Sequence, residues 1–152
     1  YVEIVTRAYK HALQDVANGT YTKERVESYF EQLKTVYNRG QSHGNYYLGQ
    51  ELDVYSDVKG SKATKEKVAI GTVQNYFPKA GVAQILLHAE GLAIGDEIKI
   101  IGATTGVYSA TITALRDAEE HPIAQAKKGA TVTIPVSERV RENDQVYLWK
   151  DK

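Results

Sequence analysis

The run Tyr108-Ser109-Ala110-Thr111-Ile112-Thr113-Ala114 decides the fold. Tyr108, Ala110, Ile112 and Ala114 alternate with Ser109, Thr111 and Thr113, so an extended chain there has one apolar and one hydroxyl face. A helix cannot bury a period of two. The same alternation returns where Val132, Ile134 and Val136 are interleaved with Thr131, Thr133 and Pro135. Further strands are predicted over 68–76, 82–89, 97–101 and 145–150, with turn residues between them at short spacing, which favours a barrel or a sandwich.

A weak internal echo supports this. Leu92-x-x-Gly95-Asp96-x-Ile98-x-Ile100 and Val140-x-x-Asn143-Asp144-x-Val146-x-Leu148 share one layout. Gly and Asn tolerate a positive φ, and the Asp after each can hold a turn by accepting a backbone N–H, so both predict a turn feeding a strand.

Upstream the period changes. Val2, Val5, Tyr9, Ala12, Leu13 and Val16 recur at threes and fours, predicting a helix over 2–17 that stops at Asn18-Gly19. Thr22 is the expected N-cap of a second helix with the stripe Val26, Tyr29, Phe30, Leu33, Val36 and Tyr37. Two such short helices bury little area between them and are expected to dock on something else. Arg39-Gly40-Gln41-Ser42-His43-Gly44 reads as a glycine-bracketed loop, and 60–67 as a polar connector without a core face. The expected organisation is a helical segment with its loop over 1–58, a connector over 59–67 and a strand-built domain over 68–152.

The 152 residues suffice for one ordinary domain with a helical appendage, and 42% hydrophobic against 25% charged residues is a globular balance. Net charge is zero, with ten basic against nine acidic residues up to residue 67 and nine against ten beyond it. Nucleic-acid binding through bulk charge normally needs a basic surplus, so here it would require a local patch. Having no cysteine removes disulfides, thiolate metal sites and cysteine nucleophiles. With no apolar run near the roughly 20 residues of a membrane span and no leader pattern, the expectation is a cytoplasmic chain without membrane contact. It contains no Met and begins inside an amphipathic pattern, as a fragment or processed chain would.

Two resemblances follow. Leu92-x-x-Gly95-Asp96-x-Ile98-x-Ile100-x-Gly102, Ile112, Ile123-x-x-Ala126-x-x-Gly129-x-x-Val132 and Asp144-x-Val146 resemble the second-domain barrel of translation elongation factors such as elongation factor Tu. Val68-Ala69-Ile70-Gly71-Thr72-Val73-Gln74-Asn75-Tyr76-Phe77-Pro78-Lys79-Ala80-Gly81-Val82-Ala83 resembles the opening strands of the C-terminal domain in the collagenase-like peptidases, peptidase family U-thirty-two. The upstream segments Tyr1-Val2 to Thr6-Arg7-Ala8-Tyr9 and Val36-Tyr37-Asn38-Arg39-Gly40 to Gly44 are similar to that family's last barrel helices and the Asn-Arg-Gly loop after them. Family members carry an aromatic after each glycine of that loop, where this chain has Gln41 and Asn45. The resemblances imply an α+β chain, a helical hairpin followed by a small closed antiparallel β-barrel of the translation-factor type. They also imply a parent catalytic barrel domain as partner and a protein or structured-RNA substrate, since relatives include peptidases and RNA-nucleobase hydroxylation proteins. Some relatives hold iron–sulfur clusters on cysteines, none of which falls in this chain, so no cofactor is expected.

Candidate chemistry is sparse. Adjacent side chains such as Ser42 and His43 seldom face each other well enough for acyl transfer, and no third carboxylate is placed to orient the base. His43, bracketed by glycines and following Arg39, could touch an anion. Glu119-Glu120-His121 offers poor chelate geometry and reads as a turn before Pro122. His11 and His88 are expected to be partly buried and hydrogen-bonded. Gly102-Ala103-Thr104-Thr105-Gly106 lacks the lysine of a phosphate loop and reads as a hairpin turn. Eleven tyrosines, with Tyr46, Tyr47 and Tyr55 after the loop, lie among Arg39, Lys59, Lys62, Lys65, Lys67 and Lys79. Such a mixture stacks on bases, grips a peptide, or packs in a core or interface. The expected binding residues are Asn38, Arg39, Gly40, His43, Tyr76, Phe77 and Lys79, with no catalytic or metal-binding residue. The expectation is thus an accessory domain for substrate recognition or docking in a collagenase-like peptidase, inactive alone, with an RNA-binding module as the alternative.

Overall fold

The apolar three-and-four spacing of the first residues forms α1, Val2–Asn18, in the computed structural model, which describes residues 1–39 and 60–152. Gly19 ends it in the left-handed conformation, φ 70°, with its N–H on the Val16 carbonyl and the Thr20 N–H on that of Asp15. Thr22 caps α2, Lys23–Lys34, by accepting the Arg25 N–H at 3.4 Å. That helix stops before Val36 and Tyr37, short of the expected stripe, because side chains take over its last carbonyls. Thr35 Oγ1 donates to Gln32, and Asn38 Nδ2 donates to Val36 and Lys34.

The described residues divide into a helical unit, Tyr1–Glu66 with Lys152, and a sheet unit, Lys67–Asp151. In the helical unit Ala8, Tyr29 and Val36 are buried, whereas Val2, Tyr9, Leu13 and Val16 are 59–72% exposed. The apolar stripe of α1 is therefore only partly covered by α2. The segment after residue 60 is tied back to this unit by Lys62 N–H to Asn38 carbonyl, 2.7 Å, and Thr64 N–H to Lys34 carbonyl, 3.1 Å.

The strands are β1 Lys65–Phe77, β2 Val82–Leu87, β3 Leu92–Ala93, β4 Glu97–Gly102, β5 Gly106–Thr111, β6 Gln125–Ala126, β7 Thr131–Pro135 and β8 Gln145–Asp151. Six form one sheet in the order β5-β4-β8-β1-β2-β7, and β3 pairs with β6 alone. Ile70, Ile85, Leu87, Ile98, Ile100, Val132, Ile134 and Val146 line one face and are sealed from solvent. At β1, pairing with β2 slips between Val73 and Asn75, a bulge that bends the strand. The two echoed turns form as expected. Gly95 and Asn143 have φ 96° and 68°, and Asp96 and Asp144 accept the N–H groups of Ala93 and Arg141, each at 2.8 Å.

The sheet is open, with β5 and β7 as its edges, which corrects the expected closed barrel. Closure needs a continuous ladder between those edges. Instead the chain leaves the strand direction after Thr111. Ile112 bonds back to Gly95 and Asp96, and Arg116 alone bridges to Thr133 of β7. The alternating run identified the buried face correctly as far as Ile112, beyond which Ala114 is exposed and Leu115 is buried instead; alternation is also silent on what lies beside an edge. That is set by the path of the connection. The polar stretch expected as a connector without a core face likewise ends in strand, since β1 begins at Lys65.

Candidate functional site

Alternation that buries Ile98, Ile100 and Val146 drives Lys99, Tyr147 and Trp149 to the opposite face of the sheet. Register sets Lys99 beside both Ser109 on β5 and Tyr147 on β8. The Lys99 ammonium donates to Ser109 Oγ at 2.9 Å and stands 5.0 Å from the centre of the Trp149 ring. Lys67 of β1 stands 4.6 Å from that of Tyr147. Ser109, Lys99, Tyr147 and Lys67 thus cross four adjacent strands as a row of hydroxyl, cation, ring and cation, joined by the Lys99–Ser109 hydrogen bond and by charge–ring attraction of Lys67 to Tyr147, with Lys99 and Tyr147 half-buried and Ser109 and Lys67 exposed. This row can receive a polar chain with acidic or carbonyl groups.

The expected binding residues are distributed as follows. Tyr76 lies against the core, paired with Ala83, its N–H bonded to Asn75 Oδ1. Phe77, 42% exposed, and exposed Lys79 share the tight β1–β2 turn, where the N–H groups of Ala80 and Gly81 close on the Phe77 carbonyl. In the helical unit, Asn38 is engaged by backbone, and its N–H also meets Ser61 Oγ at 3.3 Å. Arg39 Nε donates to the Tyr37 hydroxyl at 3.2 Å. Gly40 and His43, with Ser42, Tyr46, Tyr47, Tyr55 and Lys59, lie outside the described residues.

The remaining candidates have structural partners. Asp117 accepts the N–H groups of Glu119 and His121 and makes the turn predicted there, and no cluster of three metal-ligating side chains occurs among the described residues. His11 and His88 are exposed, against the expected partial burial, because His11 lies off the apolar stripe and His88 follows the last residue of β2. His88 bonds Thr72 Oγ1 at 2.9 Å.

Sequence reasoning missed Lys99, Tyr147 and Trp149 as one surface. The available signal was the strand Gln145-Val146-Tyr147-Leu148-Trp149, whose non-core positions carry rings where a solvated strand carries polar groups. It also missed the cluster joining α1 to α2. Asp15, 5% exposed, receives two nitrogens of Arg25, the Tyr29 hydroxyl and Thr20 Oγ1. The Arg25 and Tyr29 hydrogen bonds hold the Asp15 carboxyl far below the usual carboxylate range. Beside it, Ala8, Tyr9, Ala12, Tyr21, Tyr29 and Phe30 contribute to an apolar cleft of about 180 Å³.

Over 147 residues, 97% of this chain, the sequence is 43% identical to a collagenase of Porphyromonas gingivalis, covering 35% of that protein. Its homologues are named collagenase and protease. A protein of Methanocaldococcus jannaschii named an uncharacterized protease is 34% identical over 153 residues, 99% of this chain and 37% of that protein. The chain thus spans little more than a third of the length of these two curated relatives. No family model matches it. Among solved structures, the C-terminal domain of a Geobacillus thermoleovorans protein described as a U32 peptidase superposes with a TM-score of 0.50 at 19% identity. It covers 52% of this chain and 96% of that one, a likeness of fold. No helix among the described residues is long and apolar enough to cross a membrane.

Proposed function

We propose that this chain is the C-terminal accessory region of a collagenase-like U32 peptidase, which orients a protein substrate towards a catalytic domain and has no hydrolytic activity by itself. The observation that carries this is 43% identity over 97% of the chain to a protein named collagenase, most of whose length lies outside the matched segment. The exposed stripe of Val2, Tyr9, Leu13 and Val16 is the expected contact with the parent catalytic barrel, because apolar groups of that size on one helix gain most from being covered. The row from Ser109 to Lys67 and the Phe77–Lys79 turn are the surfaces offered to substrate. The RNA-binding alternative draws no support from relatives named for proteolysis.

The test compares the parent enzyme with a version truncated before the equivalent of Lys67, which keeps the helical unit and removes the sheet unit. Cleavage of a short peptide should persist after truncation, while KM for gelatin rises. Gelatin hydrolysis by the purified 152-residue chain, abolished by one substitution within it, would sink the proposal.

A further inference from the structure

The two edges of the sheet are unequal. On β7, Thr133 exchanges both backbone bonds with Arg116, at 2.9 and 3.0 Å, and Pro135 lacks an N–H, so that edge is occupied or blocked. On β5 the sequence is Gly106-Val107-Tyr108-Ser109-Ala110-Thr111, with none of the proline, charge or bulge that usually blunts an edge.

Its free groups can be assigned. The Ile112 N–H bonds the Asp96 carbonyl at 2.8 Å next to the Thr111–Glu97 pair, which makes that pair a non-hydrogen-bonded one. Tyr108 and Ala110 therefore exchange bonds with Ile100 and Ile98. Val107, Ser109 and Thr111 direct their N–H and C=O groups away from β4, and among the described residues no backbone group meets them. All three are exposed. Their side chains lie on the face of Lys99, whose ammonium reaches across to Ser109 Oγ.

We propose that β5 captures an extended polypeptide as an added strand, with an acidic residue of that polypeptide paired to Ser109 and its carboxylate met by Lys99. Alternate donors and acceptors about 6.8 Å apart along β5 match the backbone of an extended chain and nothing smaller. Directly paired residues sit about 5 Å apart, within reach of an ammonium already leaning to the edge. As to its natural occupant, the inference rests on the substrate-positioning role proposed above. The binding itself needs no catalysis.

The test uses the isotopically labelled 152-residue chain and a blocked heptapeptide of threonine and valine with a central glutamate. On binding, amide exchange at Val107, Ser109 and Thr111 should slow by about tenfold or more, while Tyr108 and Ala110 stay as they were. N-methylating the glutamate and the residues two positions either side removes the donors that face β5, and should weaken binding by about tenfold or more. Replacing the glutamate by lysine should weaken it too. The methylated peptide tests the edge without altering the protein, and Ser109→Pro tests it from the other side. Unchanged exchange with peptide, or equal affinity for the methylated peptide, overturns the proposal. Protection that appears on raising protein concentration alone also overturns it, since a second copy is then the occupant. None of these failures touches the gelatin-dependent KM effect, so the accessory reading stands or falls separately.

Discussion

The guanidinium of Arg25 grips the carboxylate of Asp15 through two nitrogens, Nε to Oδ2 and Nη2 to Oδ1, both at 2.9 Å. Ten residues separate the pair in sequence, and the bond clamps the end of α1 to the start of α2, with the Tyr29 hydroxyl and Thr20 closing around the same carboxylate. Asp15→Ala leaves four donor atoms on three side chains facing a gap and should reduce helical content in the far-ultraviolet. Asp15→Asn, which cannot accept both guanidinium nitrogens, should give a smaller loss of the same sign.

Acid should reveal the same cluster. The Asp15 carboxyl is held well below its ordinary value of 3.8, chiefly by the Arg25 hydrogen bond and next by that of Tyr29. A group whose folded-state pKa is lowered contributes stability that is complete above its unfolded value and lost as pH falls towards the folded one. Helical signal should therefore decline as pH drops below about 4, and Asp15→Asn should flatten that decline. A wild-type signal that stays level down to pH 2 contradicts the assignment.

Gly102 and Asp144 make a second, steric relationship. A β-carbon at position 102 would stand 1.7 Å from Asp144 Oδ1, on a carboxylate that also holds the Arg141 N–H at 2.8 Å and the Thr105 hydroxyl at 2.5 Å. Gly102→Ala should cost about 2 kcal/mol or more in urea unfolding, by overpacking and by loosening the turn into β8. In the sealed core, Ile134→Ala should cost about 3 kcal/mol, because nothing nearby can collapse fully into the space.

Trp149 is the sole tryptophan, so its emission reports on the outer face of the sheet alone. Lys99→Met removes the ammonium 5.0 Å from the ring and keeps a similar stem. The emission maximum should shift while stability changes by about 1 kcal/mol or less. Unaltered emission would mean that the lysine does not rest on the ring in solution.

At the β1–β2 turn, Phe77→Ser and Lys79→Glu alter exposed side chains beyond the core and should change stability by less than about 0.5 kcal/mol. In the parent enzyme, the substrate-facing role proposed for this turn predicts that the pair raises KM for gelatin and leaves short-peptide cleavage alone. Equal KM values for wild type and the double variant remove the turn from the site.

What the chain alone determined is the type of its main elements and the buried face of its strands, but not that of α1, whose stripe is largely exposed. Threes and fours from Val2 to Val16 mark a helix and the twos around Ile112 and Ile134 mark strands, because both periods are local properties of a covalent backbone. The Gly95-Asp96 and Asn143-Asp144 turns were legible for the same reason, each Asp reaching only three residues back. Short β3 and β6 were not, since two residues carry no period. Nor could the pattern show that α2 ends at Lys34, where the choice between one more helical turn and the Thr35 and Asn38 side chains is a matter of competing hydrogen bonds. Tertiary structure alone decided the rest. Whether the sheet closes depends on where residues 112–130 travel, and the row of Ser109, Lys99, Tyr147 and Lys67 exists only once strands distant in sequence lie side by side at hydrogen-bonding distance. Alternation tells each residue which face to take, and only pairing tells it which neighbours it will have.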